Sequence, residues 1–218
     1  VELPLALFGI SIATVMLPKL SDYFNRSNID AYNRTLNWGL KLGILISFPT
    51  MLGLIILSDP ILITLLKYKE FTLNDVHMTS IALIAFSIGL PGMIGSKILI
   101  TNYYSRKDTK YPVKAALIAV LCNFVLNIAF VVYLVKTDFN GAHIGLAVAT
   151  SLSAYVNFFF LFKNAVKTKI FNMDQDIIFY ILKSVIATIV MSAFLLYFDL
   201  SKQAWMDYEL VERVMNLF

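Results

Sequence analysis

Five long apolar runs dominate this sequence, at residues 38–57, 81–101, 113–135, 141–162 and 177–198. Each holds about 20 residues or more, the length an α-helix needs to cross the hydrocarbon core of a bilayer. Strands of a membrane barrel alternate apolar and polar positions, and these runs do not. A helix satisfies its own backbone hydrogen bonds in lipid. The runs therefore predict an all-α fold, a polytopic transmembrane helical bundle. A sixth run, 3–18, is slightly short and reads as truncated at its start; a seventh begins at residue 211 and continues to 218. Composition agrees. Hydrophobic residues make up 59% and charged residues 15%, where a soluble domain has about 45–50% and about 25%. Mean hydropathy is +0.75. This balance excludes a disordered chain, a basic nucleic-acid-binding domain and an ordinary soluble enzyme.

The chain reads as one membrane domain, 1–218, and as an internal piece of a longer protein. Residue 1 is Val, and no charged region precedes a signal-type apolar segment. The single cysteine, Cys122, lies in an apolar run and offers no disulfide within the chain.

The formal charge of +4 acquires meaning from where the cations sit. Lys19, Arg26, Arg34 and Lys41 flank the first connection. Arg106, Lys107, Lys110 and Lys114 flank the third, and Lys163, Lys167 and Lys169 the fifth. The alternate connections hold only Lys67, Lys69 and Lys136. The positive-inside rule then predicts cytoplasmic connections at 19–37, 102–112 and 163–176. The first of these, polar but carrying Tyr23, Ile29, Tyr32 and Leu36, reads as an interfacial amphipathic stretch. Residues 58–80 read as a loop with a short apolar patch at 61–66. The cations mark topology rather than nucleic acid.

All fourteen carboxylates lie outside the five complete runs, so no buried proton relay is encoded in them. Lys97 is the deepest cation. It lies four residues before Thr101, about 6 Å along a helix. It either snorkels to the interface or faces a cavity holding an anionic ligand. Lys183 reads as snorkelling. An antiparallel hairpin about residues 136–140 sets Asn123 level with Ser153 and Asn127 level with Thr150. Thr150, Ser153 and Asn157 share one helix face. The resulting midplane cluster serves either interhelical hydrogen bonding or a cation or substrate-adjacent site. Pro91, followed by Gly92, interrupts the second run as a packing kink or as a hinge for alternating access. Ser184, Thr188 and Ser192 form a small-residue packing stripe. His77 and His143 are the only histidines, and no metal-ligand spacing, phosphate loop or nucleophilic triad occurs. The chain reads as a transporter rather than an enzyme, with no metal site.

Several segments carry a family likeness. Leu3-Pro4-Leu5-Ala6-Leu7-Phe8-Gly9 with Leu17-Pro18, then Tyr32-Asn33-Arg34 and Trp38-Gly39-Leu40, and Phe71-Thr72 with Asp75 are the first. Lys97-Ile98-Leu99, Tyr104-Ser105-Arg106, Asp108-Thr109-Lys110 and Pro112-Val113-Lys114 are the most specific. Gly145-Leu146-Ala147 through Ala154 completes the set. In order and spacing these resemble the MurJ/MviN family of lipid II flippases, within the multidrug/oligosaccharidyl-lipid/polysaccharide exporter superfamily. The resemblance covers nearly the whole chain.

It implies a fold of fourteen helices in two lobes around a central cavity. This chain would supply the second lobe, about helices eight to thirteen and the start of fourteen. It implies transport of lipid II, the undecaprenyl-diphosphate-linked peptidoglycan precursor, from the cytoplasmic to the outer leaflet of the bacterial inner membrane. Lipid II and the N-terminal lobe of the same chain would be its partners, with most of the cavity arginines in that lobe. No cofactor is implied beyond a monovalent cation, sodium, which some members hold between helices seven, eleven and twelve. The matching positions are Asn123, Asn127, Thr150 and the Leu146 carbonyl. Asn127 stands where those members use an acidic residue, and a neutral amide offers a cation less field. Thr101-Asn102 and Lys69 also depart from the family pattern. A polysaccharide or multidrug exporter of the same superfamily, or a non-transporting membrane scaffold, are the alternatives.

Overall fold

The computed structural model describes residues 1–66, 72–136, 142–168 and 171–197. The expected seventh span at 211–218, residues 137–140 of the expected hairpin turn, and Lys67, Lys69, Phe71 and Lys169 lie outside the described residues. Every regular element among the described residues is helical. Among the described residues, six helical segments are long and apolar enough to cross a membrane: Glu2–Asn25, Ile29–Ile56, Leu73–Tyr104, Lys110–Tyr133, His143–Lys167 and Ile177–Tyr197.

Helix α1 runs over Glu2–Asn25, with a π-helical stretch at Leu5–Ile10 around the buried Gly9. Helix α2 is Ile29–Ile56 and α3 is the short Ser58–Leu66. Helices α4 (Leu73–Ile88) and α5 (Leu90–Tyr104) make one broken span. Helices α6 (Lys110–Lys136), α7 (Ala142–Lys167) and α8 (Ile177–Tyr197) complete the bundle.

The helices extend well beyond the apolar runs. Residues 19–37, expected as an interfacial connection, are the end of α1, a turn at 26–28 and the start of α2. Ser27 closes α1 in the left-handed conformation, φ 57°. Its N–H bonds the Phe24 carbonyl, and the Asn28 N–H bonds that of Tyr23, a Schellman closure. Asn28 then caps α2 by accepting from the Ala31 N–H at 3.1 Å. Lys107, φ 60°, closes α5 in the same way, and Asp108 caps α6 through the Tyr111 N–H. The first and third connections are thus the same device, compact enough for helices to start in sequence that reads as polar loop. Residues 58–80 likewise hold α3 and the start of α4, where Thr72 and Asp75 form a capping box.

Helix α5 is the hub. Leu90, Ile94, Ile98, Leu99 and Tyr103 are fully buried, against Met16 and Leu20 of α1, Tyr32 and Leu36 of α2 and Leu161 of α7. Helix α6 leans on α7 and turns Leu117, Leu121, Phe124 and Ile128 outward. Apolar side chains cost nothing there when the surrounding solvent is lipid. Helix α8 packs on α2 through its small stripe. Ser184 and Thr188 are buried, and the Ser184 hydroxyl donates to the Ile44 carbonyl at 3.2 Å.

The α7–α8 connection is strapped down. Asn33, Asn37 and Lys41, spaced four apart, share one face of α2. The Asn172 N–H donates to Asn33 Oδ1 (2.9 Å), Asn37 Nδ2 donates to the Asn172 carbonyl (2.9 Å), and the Asp174 N–H donates to Asn37 Oδ1 (3.1 Å). Lys41 Nζ donates to Asp174 Oδ2, and this bond holds the Asp174 carboxyl below the usual carboxylate range.

Candidate functional site

The helix break between α4 and α5 is built from three glycines and braced by α7. Gly89 has φ −74° and ψ −15°, angles open to any residue. What it supplies is room: a Cβ here would lie 2.7 Å from Ser151 Oγ and 2.9 Å from Ser151 Cα. A Cβ on Gly92 would press on the Tyr155 N at 3.2 Å, and one on Gly95 on the Phe158 ring at 2.6 Å. The three glycines, three apart, let α5 settle against α7. Pro91 falls in the first turn of α5. Its missing N–H costs little there, so it starts a helix rather than bending one. At the break, the Gly89 N–H bonds back to Phe86. The Ala85 carbonyl is taken instead by the Ser151 hydroxyl at 2.6 Å, and the Ile88 carbonyl by the Tyr155 hydroxyl at 2.7 Å. Two α7 side chains therefore satisfy carbonyls that an unbroken helix would satisfy itself. The sequence named Pro91 and Gly92; Ser151 and Tyr155 carry no local signal.

Lys97 is exposed, whereas Ser96, Ile98 and Leu99 are buried. It shares a face of α5 with Met93, four residues earlier. Met93 lines two clefts. One, about 400 Å³, lies toward Leu5 of α1 and Phe86 of α4; the other, about 300 Å³, toward α6 and α7. Lys97 has no hydrogen-bond or ion-pair partner among the described residues.

The second cleft is lined by Asn123, Thr150, Ser153 and Asn157. The structure brings the five cluster residues together, in a register slightly different from the one expected. Asn123 Nδ2 reaches both Thr150 Oγ1 (3.3 Å) and Ser153 Oγ (3.4 Å). Asn127, expected level with Thr150, instead donates to Asn123 Oδ1 at 3.0 Å. Thr150 and Ser153 lie three apart on one face, so a single amide bridges them and leaves Asn127 to stack one turn behind. The Thr150 hydroxyl donates to the Leu146 carbonyl (2.8 Å), and the Ser153 hydroxyl to the Thr150 carbonyl (2.8 Å). Asn127 Oδ1 and Asn157 Oδ1 are buried without a partner. Among the described residues no group of three His, Cys, Asp or Glu side chains is placed to hold a metal.

A buried polar hub at the other end of α5 was not anticipated. The Tyr32 hydroxyl lies 2.8 Å from Asn102 Oδ1 and 2.9 Å from Ser105 Oγ. The Tyr103 hydroxyl donates to the Leu161 carbonyl at 2.6 Å, and the Arg106 guanidinium lies over the Tyr103 ring. The 102–105 segment thus ties α5 to α2 through Asn102 and Ser105 and to α7 through Tyr103. Its packing role is invisible in sequence because Tyr32 is 70 residues away from Asn102.

A family described as MurJ, lipid II flippase MurJ, matches residues 1–216. The chain belongs to the MurJ family. A probable lipid II flippase MurJ from Vibrio cholerae is 35% identical over 216 residues, 99% of this chain and 40% of its own length. The lipid II flippase MurJ from Burkholderia cenocepacia is 30% identical over 191 residues, 88% of this chain and 36% of its own. A solved structure, lipid II flippase MurJ in an inward closed conformation, superposes with a TM-score of 0.75 at 31% identity. It is matched over 99% of this chain and 42% of that one. The chain therefore spans about 40% of the length of the MurJ relatives it matches. The six membrane-length helices make it a multi-pass membrane protein.

Proposed function

We propose that this chain is the second lobe of a lipid II flippase of the bacterial cytoplasmic membrane. The whole protein moves the undecaprenyl-diphosphate-linked precursor from the cytoplasmic to the outer leaflet by alternating access, for cell wall synthesis. The observation that carries this reading is the joint match in sequence and fold to MurJ over 99% of the chain. The lysine and arginine asymmetry supports placing the first, third and fifth connections in the cytoplasm. A diphosphate–sugar–peptide headgroup cannot cross a low-dielectric slab unaided. A cationic cavity opened to each side in turn lowers that barrier. In this lobe the braced break at Gly89 is the element about which α4 and α5 re-angle, and Lys97 is the cation that faces the cavity. Depletion of the full-length protein should leave lipid II on the inner leaflet; unchanged outward translocation would sink the reading.

Lys97→Ala should slow lipid II translocation by about fivefold, the loss of one favourable contact to an anionic group, and Lys97→Arg should retain most of the rate. Full activity in Lys97→Ala assigns the residue to snorkelling instead.

The α6–α7 polar cluster serves helix pairing. The Asn123 amide reaches across to Thr150 and Ser153, and such interhelical bonds are worth about 0.6 kcal/mol each. A monovalent cation is the second reading, favoured by the buried, unpartnered Asn127 Oδ1. Asn127→Ala should leave translocation and its sodium response unchanged. Loss of a sodium response in that variant would establish the cation reading.

A further inference from the structure

We propose that the cleft between α1 and α2, at the end nearest the 26–28 turn, binds the phosphate of an anionic lipid. The cleft is about 230 Å³ and is lined by Lys19 and Tyr23 from α1 and by Arg34 and Trp38 from α2, with Val15 on its apolar side. In liquid water that volume holds about eight molecules, so a phosphate and its neighbouring ester atoms fit.

The charges are the first argument. Lys19 and Arg34 face one cleft from two different helices, and neither has a hydrogen-bond or ion-pair partner among the described residues. No carboxylate lines the cleft. The nearby acids are placed elsewhere. Asp22 pairs with Arg26 at 2.8 Å, and Asp174 pairs with Lys41. Asp30 lines the neighbouring cleft, which Arg34 also borders, and makes no ion pair with Arg34. Two unpaired cations that share a cleft repel each other until an anion sits between them.

Depth is the second argument. Lys19 follows directly on the apolar run 3–18, and Arg34 lies four residues before the run that begins at Trp38. Both cations therefore sit at the boundary between hydrocarbon and headgroup. Tyr23 and Trp38 flank them there, and Trp38 is half exposed, the placement of an interfacial aromatic. Val15, one turn deeper, is also half exposed and offers an acyl or prenyl chain its way down into the bilayer. A basic pocket between membrane helices at headgroup depth is the arrangement that selects phosphate-bearing lipids. An anionic phospholipid and a polyprenyl diphosphate share this chemistry.

The test uses the full-length protein, purified in detergent and analysed for bound lipid by native mass spectrometry. Phosphatidylglycerol, phosphatidylcholine and a polyprenyl diphosphate are each titrated against wild type and Lys19→Gln/Arg34→Gln. Both side chains are exposed, so the variant should melt at the wild-type temperature, and Lys19→Arg should bind as wild type. The expected result is about thirtyfold weaker binding of at least one phosphate lipid, the effect of two basic contacts, with phosphatidylcholine unchanged. Weakening for phosphatidylglycerol assigns the site to membrane phospholipid. Weakening confined to the polyprenyl diphosphate assigns it to the substrate lipid. Wild-type affinity of the double variant for both overturns the proposal. Lipid II translocation by the wild type, measured in parallel, reports separately on the flippase reading.

Discussion

Gly89→Ala should lower the melting temperature of the full-length protein by several degrees, although alanine is the better helix former. The new Cβ meets Ser151 Cα at 2.9 Å and Ser151 Cβ at 3.0 Å. The Cα is backbone and has no rotamer to escape into, so α7 must move away from α5. Overpacking of this kind costs about 1–3 kcal/mol. The shift also endangers the bond from Ser151 to the Ala85 carbonyl, 2.6 Å long and buried. Leaving that carbonyl unpaired adds about 1–3 kcal/mol. Gly53→Ala is the control. Its Cβ meets only Met191 Cε at 3.8 Å, an ordinary contact. There the usual helix preference for alanine, about 0.5–1 kcal/mol, should stabilise or leave the protein unchanged. Equal melting temperatures for the two variants would mean that the α5–α7 seam is loose. Measured translocation should fall with Gly89→Ala if the break must keep its geometry to re-angle the helices.

Asn37→Ala should release the strap between α7 and α8. Asn37 is buried and makes three hydrogen bonds, two of them to the strap backbone at residues 172 and 174. Truncation leaves the Asp174 N–H and the Asn172 carbonyl without that partner; Asn172 is exposed and Asp174 half-buried, so water takes the place of Asn37 and each bond costs about 0.5–1.5 kcal/mol. Hydrogen exchange should quicken at the amides of residues 172–176. Exchange at wild-type rates there would show that Phe171 and the Lys41–Asp174 pair hold the strap alone. The pair has its own pH signature. The carboxyl of Asp174 titrates below its unfolded value because Lys41 donates to it. Its contribution is therefore present above about pH 4, the ordinary carboxylate value, and is lost only as pH falls through the lower folded value.

The helical bundle was legible because lipid imposes one solution on long apolar runs, and residues 113–135 and 177–198 became α6 and α8 with little change. The helix ends were not legible. Ser27 and Lys107 adopt left-handed angles that glycine usually marks, so the tight turns beside them read as parts of longer polar connections. The α6–α7 cluster was readable from hairpin register alone, since Asn123, Thr150 and Ser153 are forced together by two antiparallel helices. The exact partner of Asn127 was not, because one amide can bridge two hydroxyls three residues apart. The brace on the helix break escaped notice for a different reason. Ser151 and Tyr155 satisfy carbonyls more than 60 residues away, and nothing in their own neighbourhood announces it. Asn33, Asn37 and Lys41 did leave a trace, a polar residue every four positions at the entry to an apolar helix.

On the proposed reading, this chain is part of a device that carries a diphosphate-linked lipid across the membrane. The direct measurement is translocation of labelled lipid II in proteoliposomes containing the full-length protein. Lipid II loaded on the cytoplasmic-equivalent leaflet should become accessible to an external headgroup reagent faster than in protein-free vesicles. A rate equal to that of protein-free vesicles, from protein that is folded and correctly inserted, would contradict the account.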